Sequence, residues 1–312
     1  MLSIPGQWIG DPWFFIDGAR AHCFFLTASS DNPPAARHMN WDIGHAVSGD
    51  LRSWTYEGIV LRAGPGDWDG HHLATGSIIR YKDRFWMAYT GHPRNEESTI
   101  QRVGLAVSDD LHVWEKHAGN PVTEVDERYY ERTTSGQRPF MHWRDPAMFT
   151  ADGAVYHVVC ARKHDGDTAS RGSVGVARTS DMISWEVLPP LEIEPFAEEL
   201  ECPSIIMLSG RWYLIFSTHR HLIAPAWRSK ISERDLRSGT YAMVSDSPFG
   251  PYRFCGMIER SPSPVYAGQI VAWKGGIYLM GTCSDKKDTV SDPIPVEADE
   301  NGIHTRPAGE HR

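Results

Sequence analysis

Short apolar runs alternate with polar turns along the whole chain, and the runs come in pairs. The pairs read DPWFFIDGARAHCFFLTAS from Asp11, GSIIRYKDRFWMAYTG from Gly76, DPAMFTADGAVYHVVCAR from Asp145, CPSIIMLSGRWYLIFSTH from Cys202 and GQIVAWKGGIYLMGTC from Gly268. β-branched and aromatic residues fill the flanks, as strands prefer. The tips are Asp17-Gly18, Lys82-Asp83, Asp152-Gly153, Ser209-Gly210 and Gly275-Gly276, which suit the left-handed backbone of tight hairpin turns. A second element follows the first four pairs: AVSGDLRSW (46–54), AVSDDLHVW (106–114), ARTSDMISW (177–185) and MVSDSPFGPY (243–252). It predicts a third strand, a turn set by Ser and Asp, and an aromatic opening a fourth strand. The aromatics Trp54, Trp114, Trp185 and Tyr252 recur at spacings of 60, 71 and 67 residues, so the chain is a repeat.

Five units of four strands predict an all-β fold, a five-bladed β-propeller with four antiparallel strands per blade. A lone four-stranded blade cannot bury both faces, and stacking blades around an axis does so. The expected blades are 11–60, 72–120, 142–190, 201–256 and 263–306 of one domain, 1–312. A β-sandwich is the competing fold. The fifth unit has no clear Ser-Asp element, so its outer part comes from 289–306 or from the N-terminus closing the ring. Segments 284–292 and 306–312 read as polar and loose. Almost no stretch has amphipathic helical periodicity.

Composition narrows the function. Hydrophobic residues make up 41% of the 312, enough for a real core. The formal charge is −9 without a long basic run, which argues against a nucleic-acid partner. No apolar stretch is long enough for a membrane span. The N-terminus MLSIPGQWIGDP has no basic or apolar leader region, so the expected location is cytoplasmic. Five cysteines, Cys23, Cys160, Cys202, Cys255 and Cys283, form no C-x-x-C pair, which favours free thiols over a disulfide framework or a Cys-rich zinc site. Fifteen His are present, but without helical metal-ligand spacing, so no cofactor and no catalytic metal are expected. No nucleophile-elbow serine motif and no phosphate-cradling Gly loop occur. Twelve Trp serve first for packing between sheets, and near a pocket for stacking on sugar rings.

In a propeller the first strands line the central channel and gather their N-terminal ends at one mouth. The residues there are Gly10-Asp11-Pro12, Thr75-Gly76-Ser77, Arg144-Asp145-Pro146, Glu201-Cys202-Pro203 and Ala267-Gly268-Gln269. Three of these places carry an acid beside a Pro. Acids crowded in one mouth cannot all ionise, and a split into one proton donor and one ionised carboxylate suits glycoside cleavage. A lone Asp-Pro is a common turn signal; acids at equivalent points of three blades are more than that. Glu198 and Glu199 read as loop charges whose field would raise the pKa of Glu201. His219 and His221 are candidate hydrogen-bonding groups at the mouth, and Asp67-Trp68-Asp69 is a Gly-rich loop bordering the pocket or a solvated turn.

At these residues the chain resembles glycoside hydrolase family 32, the β-fructofuranosidase, levanase and inulinase family, and more distantly families 68, 43 and 62. The likeness runs over residues 8–220. Trp8-Ile9-Gly10-Asp11-Pro12 resembles W-M-N-D-P-N, and Gly44-His45-Ala46-Val47-Ser48-Gly49-Asp50-Leu51 with Trp54 resembles G-H-A-x-S-x-D-L-x-x-W. Thr75-Gly76-Ser77 resembles S-G-S, Tyr89-Thr90-Gly91 resembles Y-T-G, and Asn120-Pro121-Val122 resembles N-P-V. Arg144-Asp145-Pro146 resembles R-D-P and Glu201-Cys202-Pro203 resembles E-C-P. The resemblance implies that Asp11 is the nucleophile, Asp145 the transition-state stabiliser and Glu201 the general acid/base. It places Trp8, Trp13, Trp41, Ser77, Arg144 and His219 around the sugar.

The chain departs from the pattern at Gly10, Trp13, Trp41, Ile43 and Thr75. The family's C-terminal β-sandwich is also expected to be lacking, which would expose surface for a homo-oligomer. The implied activity is retaining hydrolysis of a terminal β-fructofuranoside or similar furanoside on a small carbohydrate or glycoside. The alternatives are glycosyl transfer at the same site and a sugar-binding propeller without catalysis.

Overall fold

The computed structural model describes residues 1–64, 68–94, 100–132, 136–138, 141–286 and 288–306. Asp67, and Lys287 and residues 307–312 of the segments predicted to be loose, lie outside them. Blade one consists of β1 (Gln7–Asp17), β2 (Arg20–Ser29), β3 (Asp42–Ser48) and β4 (Trp54–Leu61). Blade two has β5 (His72–Tyr81), β6 (Arg84–His92), β7 (Arg102–Ser108) and β8 (Glu115–Lys116). Blade three has β9 (Arg144–Ala151), β10 (Ala154–Arg162), β11 (Gly172–Thr179) and β12 (Glu186–Leu188). Blade four has β13 (Glu201–Leu208), β14 (Arg211–Thr218), β15 (Gly239–Ser245) and β16 (Arg253–Met257). Blade five has β17 (Tyr266–Trp273), β18 (Gly276–Thr282), β19 (Ile294–Asp299) and β20 (Gly302–Thr305). Within each sheet the strands lie in chain order and pair antiparallel.

Local sequence explains the turns. Gly18, Lys82, Asp152, Ser209 and Lys274, at or beside the hairpin tips, all have positive φ. In the Ser-Asp element, the carboxylate of Asp50 accepts from Arg52 N and Ser53 N, and Asp110 and Asp181 repeat the pattern. This capping draws the residue after each Asp (Leu51, Leu111 and Met182) into the left-handed region, where its side chain is buried. The fourth copy differs: Ser245 and Ser247 hydroxyls accept the turn N–H groups, and Asp246 pairs outward with Arg211.

Each interface between neighbouring blades has its own apolar core. Trp13, Phe24, Leu73 and Met87 join blades one and two, and Trp143, Val159, Val103 and Leu105 join two and three. Blades three and four meet through Phe149, Val176, Leu214 and Phe216, and four and five through Tyr213, Val244, Leu279 and Val296. Ile9 and Phe25 meet Val271 and Met280 to close the ring. Both routes predicted for the fifth blade are used. Its outer strands lie in 294–305, and Leu2 exchanges backbone hydrogen bonds with Val290. The stretch expected to be loose is therefore partly structural: Val290 and Ser291 are buried, and Ser291 N donates to Gly281 O.

Candidate functional site

The acids lie within the inner strands, not ahead of them. Every inner strand breaks its register near the mouth. Pairing skips from Ile9 to Pro12 in β1, from Ala74 to Gly76 in β5, from Arg144 to Ala147 in β9, from Glu201 to Ser204 in β13 and from Tyr266 to Gln269 in β17. Such bulges add an unpaired residue and re-aim side chains. Asp145, Cys202 and Ala267, the first unpaired residues of their strands, have φ of 61°, 49° and 49°. Asp11 and Asp145 sit on bulges, whereas Glu201 is the last paired residue before one. The three acids are thus not at one repeated point: Glu201 shares its register position with Arg144 and Tyr266.

The bulges bring the acids together over a cavity of about 580 Å³ lined by all three. Cys202 links two of them: its backbone N donates to Asp145 Oδ2 at 3.0 Å, and its Sγ lies 3.8 Å from Asp11 Oδ2. Thr75 Oγ1 donates to Asp11 Oδ2 at 3.5 Å, and Asp145 N donates to Thr90 Oγ1 at 2.9 Å. Glu201 Oε1 accepts from Arg138 Nη1 at 2.7 Å and from Arg144 Nη2 at 2.9 Å. Its Oε2 accepts from the Tyr266 hydroxyl, and His219 Nε2 lies 3.8 Å away.

Burial, reinforced by the charges of Asp145 and Glu201, pushes the Asp11 carboxyl up to about 7. Burial also raises Asp145, against the pull of Arg144 and the Cys202 amide. At Glu201 burial opposes ionisation, but Arg144, Arg138 and the Tyr266 hydroxyl prevail and hold the carboxyl well below its usual range. The expected field of Glu198 and Glu199 does not raise it. Both are buried rather than loop charges, and Glu199 accepts from Arg144 and Arg138 on the far side of the same guanidinium pair. Burial and neighbouring charge thus push Asp11 up while the two arginines hold Glu201 down, the reverse of the order that the roles implied by resemblance call for.

Among the expected sugar-contacting residues, Trp41, Arg144 and His219 line the cavity. Trp13, Ser77 and Trp8 do not. Trp13 is buried and stacked on Phe24, and Ser77 accepts from Met148 N; both face the channel below the acids. Trp8 packs on the blade-one core beneath the Arg37 guanidinium. The 68–69 loop turns away from the site: Asp69 is buried and accepts from Tyr89 and Lys116. His221 stacks behind His219 and lines a separate pocket.

Other lining residues carried no motif. His38, His72 and His92 form one wall, with His72 and His92 stacked at 3.8 Å. Arg138 comes from an irregular connection and had no signal. Tyr266 had one: extending the blade-five alignment by one residue sets it opposite Glu201. Among the described residues, no group of three or more His, Cys, Asp or Glu could hold a metal ion.

Comparison with known proteins supplies the identity. Raffinose invertase of Escherichia coli is 29% identical over 229 residues, 69% of this chain and 42% of that protein. Sucrose-6-phosphate hydrolase of Bacillus subtilis (strain 168) is 28% identical over 182 residues, 56% of this chain and 34% of that protein. The chain thus spans less than half the length of these relatives. The inulosucrase of Halalkalicoccus jeotgali, solved with kestose, superposes with a TM-score of 0.76 at 23% identity, over 97% of this chain and 87% of that one. A Bombyx mori GH32 β-fructofuranosidase mutant, solved with sucrose, gives 0.71 at 18% identity, over 98% and 64%. These likenesses establish the shared five-bladed fold. The family model of the glycosyl hydrolases family 32 N-terminal domain matches residues 2–247, and the chain therefore belongs to glycosyl hydrolase family 32.

Proposed function

We propose that this chain is a retaining glycosidase that releases a terminal β-fructofuranosyl unit from a sucrose-type glycoside. The observation that carries this reading is the convergence of Asp11, Asp145 and Glu201, from three blades, on one cavity. Asp11 attacks the anomeric carbon. Glu201 protonates the leaving oxygen and then activates water. Asp145, fixed by the Cys202 amide, stays beside the oxocarbenium-like centre. The invertase and hydrolase relatives support the same substrate class. The free cysteines fit a cytoplasmic enzyme.

The test is a screen of sucrose, inulin-type oligosaccharides and arabinofuranosides, with Asp11→Asn and Glu201→Gln alongside. Glu201→Gln is expected to lower kcat by ~10²–10⁴-fold on a natural substrate, with the fold intact. An intact protein inert on every furanoside, or undiminished turnover in both variants, would falsify the assignment.

A further inference from the structure

We propose that Arg138 is a positioning residue for Glu201, holding its Oε1 in the resting site and giving way to the aglycone when a glycoside docks. This role presupposes the glycosidase reading. Arg138 lies between β8 and β9, in no strand and no family motif, yet it reaches the mouth because its neighbours are clamped. Gln137 donates to Glu198 through its backbone N–H and, at 3.0 Å, through its side-chain amide. A Cβ at residue 136 would lie 2.2 Å from Glu198 Oε1 and 3.0 Å from Arg162 Cζ, so a side chain there would displace the carboxylate that holds Gln137. Thus the acidic segment Glu198-Glu199-Leu200-Glu201 grips residues 137 and 138 with three carboxylates.

The two arginines on Glu201 differ in access. Both also bond Glu199, but the Arg144 side chain is 8% exposed and that of Arg138 26%. Together with Tyr266 they leave Glu201 ringed by donors: Oε1 takes two N–H groups and Oε2 takes a hydroxyl. To protonate a leaving oxygen from Oε1, Glu201 must turn an O–H toward it there, so one of the two N–H donors has to leave that oxygen. An aglycone entering the cavity meets Arg138 first, and its hydroxyls can replace the hydrogen bonds that Arg138 gives up.

Proton balance follows from the groups facing Glu201. Arg144 and Asp145 face it from β9, Tyr266 from β17, Asp11 from β1, and Cys202 and Glu199 from its own segment; His219 follows β14. Burial pushes His219 down, which leaves Arg138 and Arg144 as the cations. When Arg138 withdraws, one of those charges leaves while Asp145 and Glu199 remain. The Asp11 O–H bond then breaks as a Glu201 O–H bond forms, with no net gain or loss of protons. With one proton already on Asp11 or Glu201, the acid limb of kcat/KM reports the second proton added to these two groups.

With sucrose as the probe, Arg138→Gln should move that acid limb upward by ~1 pH unit or more, because a neighbouring opposite charge is lost. Arg138→Lys keeps the charge and should leave the limb near that of the parent. Should the glutamine variant not fold, Arg138→Met removes the charge while keeping the stem. An unmoved limb in the folded charge-removing variant, or an equal shift in Arg138→Lys, overturns the role of Arg138. Glu201→Gln in the same assay separates the two claims: full turnover there overturns the glycosidase reading itself, whereas an inactive Glu201→Gln with an unmoved Arg138→Gln limb sinks only the Arg138 assignment.

Discussion

A Cβ on Gly10 would lie 2.9 Å from Leu26 Cβ and 3.5 Å from Trp41 Cζ2. Leu26 and Trp41, both lining the site, occupy the space that the Asn of the family pattern would need at this position. Gly10→Asn should therefore destabilise the fold by ~1–3 kcal/mol through overpacking. Pairing it with Leu26→Ala should recover part of that loss. Chemical denaturation of both singles and the double checks the coupling, and strict additivity would refute the contact.

Asp11 is held at a cost to stability. Its folded pKa, about 7, lies above the ordinary carboxyl value of 3.8, so between those values the native state binds more protons than the unfolded chain. Stability then falls as pH rises through that window, and Asp11 contributes its full destabilisation above about 7. Asp11→Asn should be more stable than the parent at pH ~8 by on the order of 4 kcal/mol, with the difference gone below pH ~4. Melting curves at the two pH values decide it; a gap that widens toward acid would contradict the sign.

The same group limits activity from the alkaline side. The productive site needs one proton shared between Asp11 and Glu201, and Asp11 is the last of the two to lose it. We expect kcat/KM to decline as pH rises through about 7, with the loss reversible on returning to neutrality. A rate still climbing well above that pH would show that the proton resides elsewhere.

The cavity favours an uncharged sugar over a phosphate ester. Arg138 and Arg144 are both engaged by Glu199 and Glu201, and Arg37 nearby pairs with Asp288 and donates to Ile9 O. Burial keeps His38 and His72 neutral. A dianionic ester would therefore face Asp145 and Glu201 with no uncommitted cation among the described lining residues. Sucrose should be hydrolysed with kcat/KM on the order of 10²-fold above sucrose 6-phosphate, since like-charge juxtaposition costs several kcal/mol. Side-by-side kinetics check this, and equal values would contradict it.

Sequence alone determined the repeat and the blade count. Those features are local: period-two apolar runs, Gly- and Asp-tipped hairpins, and Ser-Asp turns whose backbone capping is complete within a few residues. Tertiary structure decided how the acids are set. A bulge displaces each inner strand by one residue, so Glu201 aligns with Arg144 and Tyr266 rather than with the two aspartates, and Trp13 and Ser77 turn into the channel below. The charge state of the acids was equally beyond sequence. Glu198 and Glu199 read as solvated charges, yet burial and the arrival of Arg138 from another connection made them the clamp beside Glu201. Strand periodicity records which residues alternate; which groups share a low-dielectric cavity depends on five blades closing around one axis.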